Sequence, residues 1–333
     1  MKWQNSDDYG HQLLRELAQA MRLDPEWMAE IQDGFIWWPS DFAQRVWCEP
    51  GVYQQATTLY RIHSETDVIK GGKHDSILEQ AAERDMDCAS FSALVYDEKD
   101  DMYRLHSSVY ASIENMAFLK RTSFAAVILQ IREAAAAADH LRRTVKAVPA
   151  VSGHPTKGMR SHPDDILGAA EHYFCAAGKE RSRWIGTPEW RETILAMERE
   201  AETVHSDHAS CLNADFPWSC GRAVRPFTMS VSTDEPHPLL GGGLHFTLSL
   251  PLDLPMDRAA HLALELNQYE RDNWKKCHML GSWTMHSGKL AFRQFVPNQL
   301  YRPELLEALC LNMSIRAYWV NDYFYHLMLA ARG

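Results

Sequence analysis

The sequence predicts an α+β protein built from two repeated units, and three observations carry that expectation. Short motifs return in the same order. Asp24-Pro25-Glu26-Trp27 recurs as Thr187-Pro188-Glu189-Trp190, 163 residues on. Glu49-Pro50 recurs as Glu235-Pro236, Glu83-Arg84-Asp85 as Glu270-Arg271-Asp272, and Tyr103-Arg104 as Phe292-Arg293, after 186, 187 and 189 residues. Helical and strand periodicities are mixed without strict alternation, and the paired strand-like runs read as hairpins, which implies antiparallel sheets. Residues 145–163 hold three prolines and two glycines with little periodicity, so they read as a linker. The expected units are 1–145, a linker over 146–163, and 164–333, with an inserted or extended helix near 190–226.

His11 to Leu23 places Leu13, Leu14, Leu17 and Met21 at helical spacing. Asp24 followed by Pro25 reads as the cap and first position of a second helix, which Trp37-Trp38-Pro39 ends. Phe42 to Cys48 and Thr58 to Ile69 read as strands, the latter with Leu59, Arg61 and His63 on one face and Tyr60, Ile62 and Ser64 on the other. Gly71-Gly72 breaks the chain before a helix from Ile77 to about Asp87. Ser90 to Asp97 and Met102 to Ala111 form a hairpin around the charged turn Glu98 to Asp101. A long helix from Phe118 to about Arg143 presents Phe124, Val127, Ile128 and Ile131 as one stripe.

The second half repeats the plan. Helices are expected over Asp165 to Ala177, Pro188 to about Val204, Met256 to about Lys275 and Pro303 to His326. Strands are expected over Phe227 to Ser232, Leu244 to Leu250, His278 to Met285 and Lys289 to Phe295. Each unit then reads helix–helix–strand–strand–helix–strand–strand–helix.

The 333 residues are 46% hydrophobic and 23% charged, with a net charge of −10. That surface repels phosphate backbones, so no nucleic-acid partner is expected. No apolar stretch spans a bilayer and the N-terminus lacks an apolar signal core, so no membrane partner is expected and the location reads as cytoplasmic. Seven scattered cysteines argue for reduced thiols over a disulfide framework.

In the second half, Leu264-Glu265-Leu266-Asn267 lies late in a helix. Gly281-Ser282-Trp283 and Gly288-Lys289-Leu290-Ala291-Phe292 follow, and Phe295-Val296-Pro297 leads into a final amphipathic helix. This pattern resembles the YbjN-like domain, which belongs with the type III secretion chaperone-like fold. The family is largely uncharacterised, and some members are described only as sensory-transduction regulators. The resemblance covers about residues 35–141 and 216–326. The first copy departs from it: Ala82-Glu83-Arg84-Asp85 stands in place of the Leu-Asn segment, and Ser92 in place of a glycine. Secretion chaperones of this fold are homodimers that bind extended polypeptides. The resemblance therefore implies an internal pseudo-dimer, a monomer with a pseudo-twofold or a weak oligomer, and a protein or peptide partner.

Trp37, Trp38, Trp47 and Trp218 are candidates for a partner-binding groove at the head of each sheet, set against the commoner use of tryptophan in cores. Arg104 and Arg293 recur in mid-strand beside aromatics and join that list, although solvent-facing alternation explains them equally. His205, His208, Cys211 and Cys220 are weak metal candidates. On a continued helix the first three share one broad face, and two imidazoles with two thiolates suit tetrahedral zinc. Their spacing matches no familiar zinc module, and a solvated helix end is the ordinary alternative. His154-Pro155 and His237-Pro238, each with a glycine four residues after the histidine, read as turns rather than ligand sites. Arg84 and Arg271 read as exposed ion pairs or caps of small worth. No nucleophile elbow, Ser-x-x-Lys or His-Glu-x-x-His motif occurs, so no catalytic residue is assigned and no cofactor is expected. The leading expectation is a non-enzymatic, chaperone-like or regulatory protein that binds a polypeptide. The alternatives are a hydrolase or other small-molecule enzyme with a His/Cys site between the repeats, and a small-ligand sensor.

Overall fold

Asp8 caps α1 (Tyr9–Ala20) by accepting the His11 N–H at 3.3 Å, and the helix buries Leu13, Leu14 and Leu17. A computed structural model of the chain describes residues 6–54, 56–72, 74–78, 91–175, 183–206, 210–219, 226–233, 236–273, 277–286 and 288–330. Residues 25–37 are not the helix their cap signal predicts. Asp24 caps only a 3-10 turn over Pro25–Trp27, and β1 (Met28–Ile31) and β2 (Gly34–Trp37) follow as a hairpin. The Gln32-Asp33-Gly34 turn and the Phe-Ile-Trp run after it outweigh the cap.

β3 (Gln44–Cys48), β5 (Thr57–Lys70), β6 (Ala93–Asp97) and β7 (Met102–Ala111) complete the first sheet in the order β1-β2-β3-β5-β7-β6. β4 (Val52–Gln54) forms a short hairpin with β5, and β8 (Val148–Pro149) pairs with its far end. All pairings are antiparallel. A Cβ on Gly34 would lie 2.0 Å from the Val46 carbonyl oxygen of β3, a clash with backbone. Gly34→Ala is therefore expected to destabilise the protein by about 1–3 kcal/mol, read from urea unfolding; parent-like stability would contradict this packing.

α2 (Met116–Thr144) covers one face of the sheet with its apolar stripe, and Gln130 pins it there. Gln130 Oε1 accepts from Gln44 Nε2 at 3.1 Å and Thr66 Oγ1 at 2.9 Å, while its Nε2 donates to Ser64 O at 3.2 Å. The expected linker is instead strapped to this sheet. Ala150 N–H donates to Val68 O, Ser152 N–H to Asp41 O, and Asp164 N–H to Pro39 O.

After α3 (Asp165–Cys175), Thr187 caps α4 (Pro188–Glu200). The helix expected across 190–226 stops at Glu200, and β9 (Thr203–Ser206) and β10 (Cys211–Phe216) follow as a hairpin. β11 (Phe227–Ser232), β12 (Gly243–Ser249), β13 (Ser282–His286) and β14 (Lys289–Pro297) complete an antiparallel sheet in the order β9-β10-β11-β12-β14-β13. α5 (Met256–Asp272) lies between β12 and β13 in sequence, and α6 (Leu305–Ala330) ends the chain's described part.

The chain is thus α+β with two antiparallel sheets. With β4 and β8 set aside and strands renumbered within each sheet, both run 1-2-3-4-6-5. Asp24-Pro25-Glu26-Trp27 follows its helix, whereas Thr187-Pro188-Glu189-Trp190 opens one, so that sequence pair does not mark equivalent positions. Glu83-Arg84-Asp85 lies outside the described residues. One buried apolar cluster runs through both halves, from Leu13 and Leu105 to Leu266, Leu280 and Val320. The halves also share a backbone bridge: Ser108 N–H donates to Met279 O at 3.0 Å, and Met279 N–H to Ser108 O at 2.8 Å. No helix among the described residues is long and apolar enough to cross a membrane.

Candidate functional site: the seam and cleft between the sheets

Successive side chains of a strand alternate between faces. On β5 this sends Ser64, Thr66 and Val68 toward α2 and Arg61, His63, Glu65 and Asp67 to the other side. Across the ladder on β7 stand Tyr110, Ser108, His106 and Arg104. This second face does not meet water. The C-terminal turn of α5, with His278 and Met279, covers it, and Arg61, His63, Glu65, Arg104 and His106 are each under 5% exposed.

Buried charges persist only when paired, and here the pairs are visible. His63 Nε2 donates to Glu49 Oε1 at 2.9 Å, with the ring stacked on Trp47 at 4.6 Å between centroids. His106 Nδ1 donates to Glu65 Oε1 at 3.1 Å, and Arg271 of α5 donates to the same oxygen at 2.7 Å. Arg61 donates to the Glu270 carbonyl at 2.7 Å and to Ser108. Arg104 donates to Asp67 at 2.8 Å and also pairs with Asp97 and Asp100. Burial pulls His63 down to about 4 against the opposing pull of Glu49, so the ring is neutral at pH 7. Burial likewise lowers His106. Burial would raise Glu65, but donation from His106 and the Arg271 charge lower it to about 2. His63 Nδ1 and His106 Nε2 are buried without a hydrogen-bond partner.

The seam opens at one end into a cleft of about 950 Å³ between the β6–β7 hairpin and α5. Tyr96, Asp97 and Glu98 form one wall; Glu265, Tyr269 and Tyr323 stand on the other, and Gln268 and Arg271 also line it. Gln268 Oε1 accepts the Tyr96 N–H at 3.3 Å, which ties the walls together.

No family model, curated protein or solved structure matches the chain.

Trp37 and Trp38 are buried, Trp37 completely, so they line no groove. Trp47 is taken up by the His63 stack, and Trp218 packs edge-on against Phe227 and Phe324 of its own half. Arg104 faces the seam, not solvent, because the second half covers its strand. Its strand counterpart Arg293 stands half-buried on β14, opposite Thr247 and Ser282. His205 and Cys211 sit on a β-hairpin, so the helical face proposed for zinc does not form. His208 and Cys220 lie outside the described residues. Among the described residues no group of three His, Cys, Asp or Glu is placed to hold a metal.

The His-Pro motifs form matching turns. In each, the histidine and the glycine four residues on exchange N–H···O bonds of 2.8 and 2.9 Å, with φ at +73° for Gly158 and +71° for Gly241. Nδ1 of His237 accepts the Leu239 and Leu240 N–H groups at 3.1 Å, and Nδ1 of His154 accepts the Thr156 N–H at 3.3 Å. The imidazole thus acts as a turn cap.

Sequence reading missed the seam. Its signal in the sequence is the run Arg61, His63, Glu65 and Asp67, four polar groups at period two in one strand.

Proposed function

We propose that the protein is a non-enzymatic, chaperone-like binding protein made of two tandem copies of one unit, with the cleft between them as the seat of an extended polypeptide segment. The shared 1-2-3-4-6-5 strand order supports the two-copy architecture, the internal pseudo-dimer that the resemblance to YbjN-like domains implies. The single observation that carries the binding role is the cleft itself. It is large enough for several side chains, lies where the halves meet, and mixes aromatic rings with polar groups. The enzyme alternative draws on the carboxylate–imidazole pairs Glu49–His63 and Glu65–His106. Neither imidazole lines the cleft, so a substrate seated there would not touch them.

A random-peptide library displayed on phage and selected on the immobilised chain is expected to enrich sequences that lose binding to a Tyr96→Ala/Tyr269→Ala variant. No enrichment, or binding that survives the variant, would overturn the reading.

A further inference from the structure

We infer that the cleft's occupant is a cationic segment, with a lysine or arginine side chain seated between the tyrosine-bearing walls. The inference rests on the cleft being a polypeptide site, and adds the chemistry of what it takes.

Charge and ring placement carry it. Among the described residues, four carboxylates border the cleft, those of Asp97, Glu98, Glu265 and Asp272, against the cations Lys99 and Arg271 and the imidazole of His74. The Arg271 guanidinium is already engaged by Glu65 at 2.7 Å and lies 3.8 Å from Asp272, and Asp97 is engaged by Arg104. Glu98 and Glu265 remain exposed, one on each wall. They supply negative charge that the cleft's cations among the described residues do not neutralise.

The rings face the same space. Tyr96 packs against Tyr103 at 4.7 Å and His74 at 5.3 Å on one wall. On the other, Tyr269 packs against Tyr323 at 4.7 Å and Trp319 at 5.4 Å. Aromatic faces attract alkylammonium and guanidinium groups, the more so as water is excluded. The phenols themselves report the field. Tyr96 is raised by its hydrogen bond to Asp101, by burial and by the charges of Asp101, Glu98 and Asp97; Tyr323 is raised by burial and then by Glu265. The stems of Lys and Arg bury apolar area while their heads stay polar, which suits walls of tyrosine edged with carboxylates. The chain's net charge of −10 would speed the approach of a basic segment at low salt.

The test uses the full chain and two fluorescein-labelled degenerate pools of short peptides. Both have apolar residues at alternate positions; the others are Lys/Arg in one pool and Asp/Glu in the second. Fluorescence anisotropy is read at about 50 mM and about 500 mM salt. The basic pool is expected to bind at least about tenfold more tightly than the acidic one, to weaken with salt, and to lose at least about fivefold in affinity against Glu98→Gln/Glu265→Gln. Both substituted residues are exposed, so that variant should keep the parent's melting temperature. Tyr96→Ala is the second variant, expected to weaken the basic pool as well. If the acidic pool binds as well as the basic one and Tyr96→Ala weakens it, the polypeptide site stands and the cationic occupant is wrong. If neither pool's binding responds to either variant, both readings fall.

Discussion

Replacing Arg316 with methionine is expected to lower the unfolding free energy by about 3–5 kcal/mol. Arg316 is fully buried. Its Nε and one terminal nitrogen hold Glu270 Oε1 and Oε2 at 2.8 and 2.9 Å, and the same terminal nitrogen donates to His278 O at 2.7 Å. The guanidinium carbon lies 3.6 Å from the Phe292 ring centre. Burial opposes the charge, and Glu270 more than offsets it, so the side chain stays a cation. Methionine fills much of the volume but leaves the Glu270 carboxylate with Trp283 Nε1 alone, at 2.7 Å. An uncompensated buried carboxylate is the dominant cost, so Glu270→Gln in the same chain should recover part of it. The amide oxygen still accepts from Trp283, and no charge remains to be buried. The double variant should therefore be less destabilised than the two single losses added together. Urea unfolding of the parent, both single variants and the double variant measures this. A loss under about 1 kcal/mol for Arg316→Met would mean that the pair contributes nothing.

Glu270 also shows why the seam was hard to see in the sequence. Glu270-Arg271-Asp272 ends a helix, where such residues are most often exposed. Here the neighbours serve two halves: the Glu270 side chain turns into its own core toward Arg316, while its carbonyl and the Arg271 side chain reach Arg61 and Glu65 of the other half. That burial depends on a tertiary contact with no local signature. What was local was legible. Met102–Ala111 and Phe227–Ser232 were bounded to the residue, because alternation and turn chemistry agree there. A first-turn proline after a capping residue is a real start signal, and it predicts helices from Pro25 toward Trp37 and from Pro188 to about Val204. In the first case the signal yields one 3-10 turn, and in the second a helix that stops at Glu200. The stripe of Val127 and Ile131 is legible in the sequence, but its contact with Trp37 is tertiary and has no local cue, so Trp37 reads there as a groove candidate.

Acid is expected to loosen the protein before it protonates the seam's carboxylates. His63, His106 and His278 are buried where the halves meet, and burial lowers all three, His63 and His278 to about 4. His63 faces Glu49, Arg61 and His106, stacked on Trp47; His106 faces Glu65, Arg61 and Arg271. His278 lies near Arg316, and its Nδ1 accepts the Tyr110 N–H at 3.1 Å, a bond that only the neutral ring makes. In the unfolded chain these imidazoles titrate near 6.5. Below that pH the unfolded state binds protons that the folded state refuses. Stability is thus fully present above about pH 6.5 and falls as pH drops toward 4, by about 1.4 kcal/mol per pH unit for each of His63 and His278, with His106 adding in the same direction. Glu65, lowered to about 2, keeps its charge through this window and titrates only below it. His278→Asn isolates one ring, since an amide oxygen can take the Tyr110 N–H and cannot be protonated here. The parent should lose several kcal/mol between about pH 7 and about pH 5, and His278→Asn about 1.4 kcal/mol per pH unit less. Urea midpoints that stay level across that range would show that the seam carries no proton-linked stability.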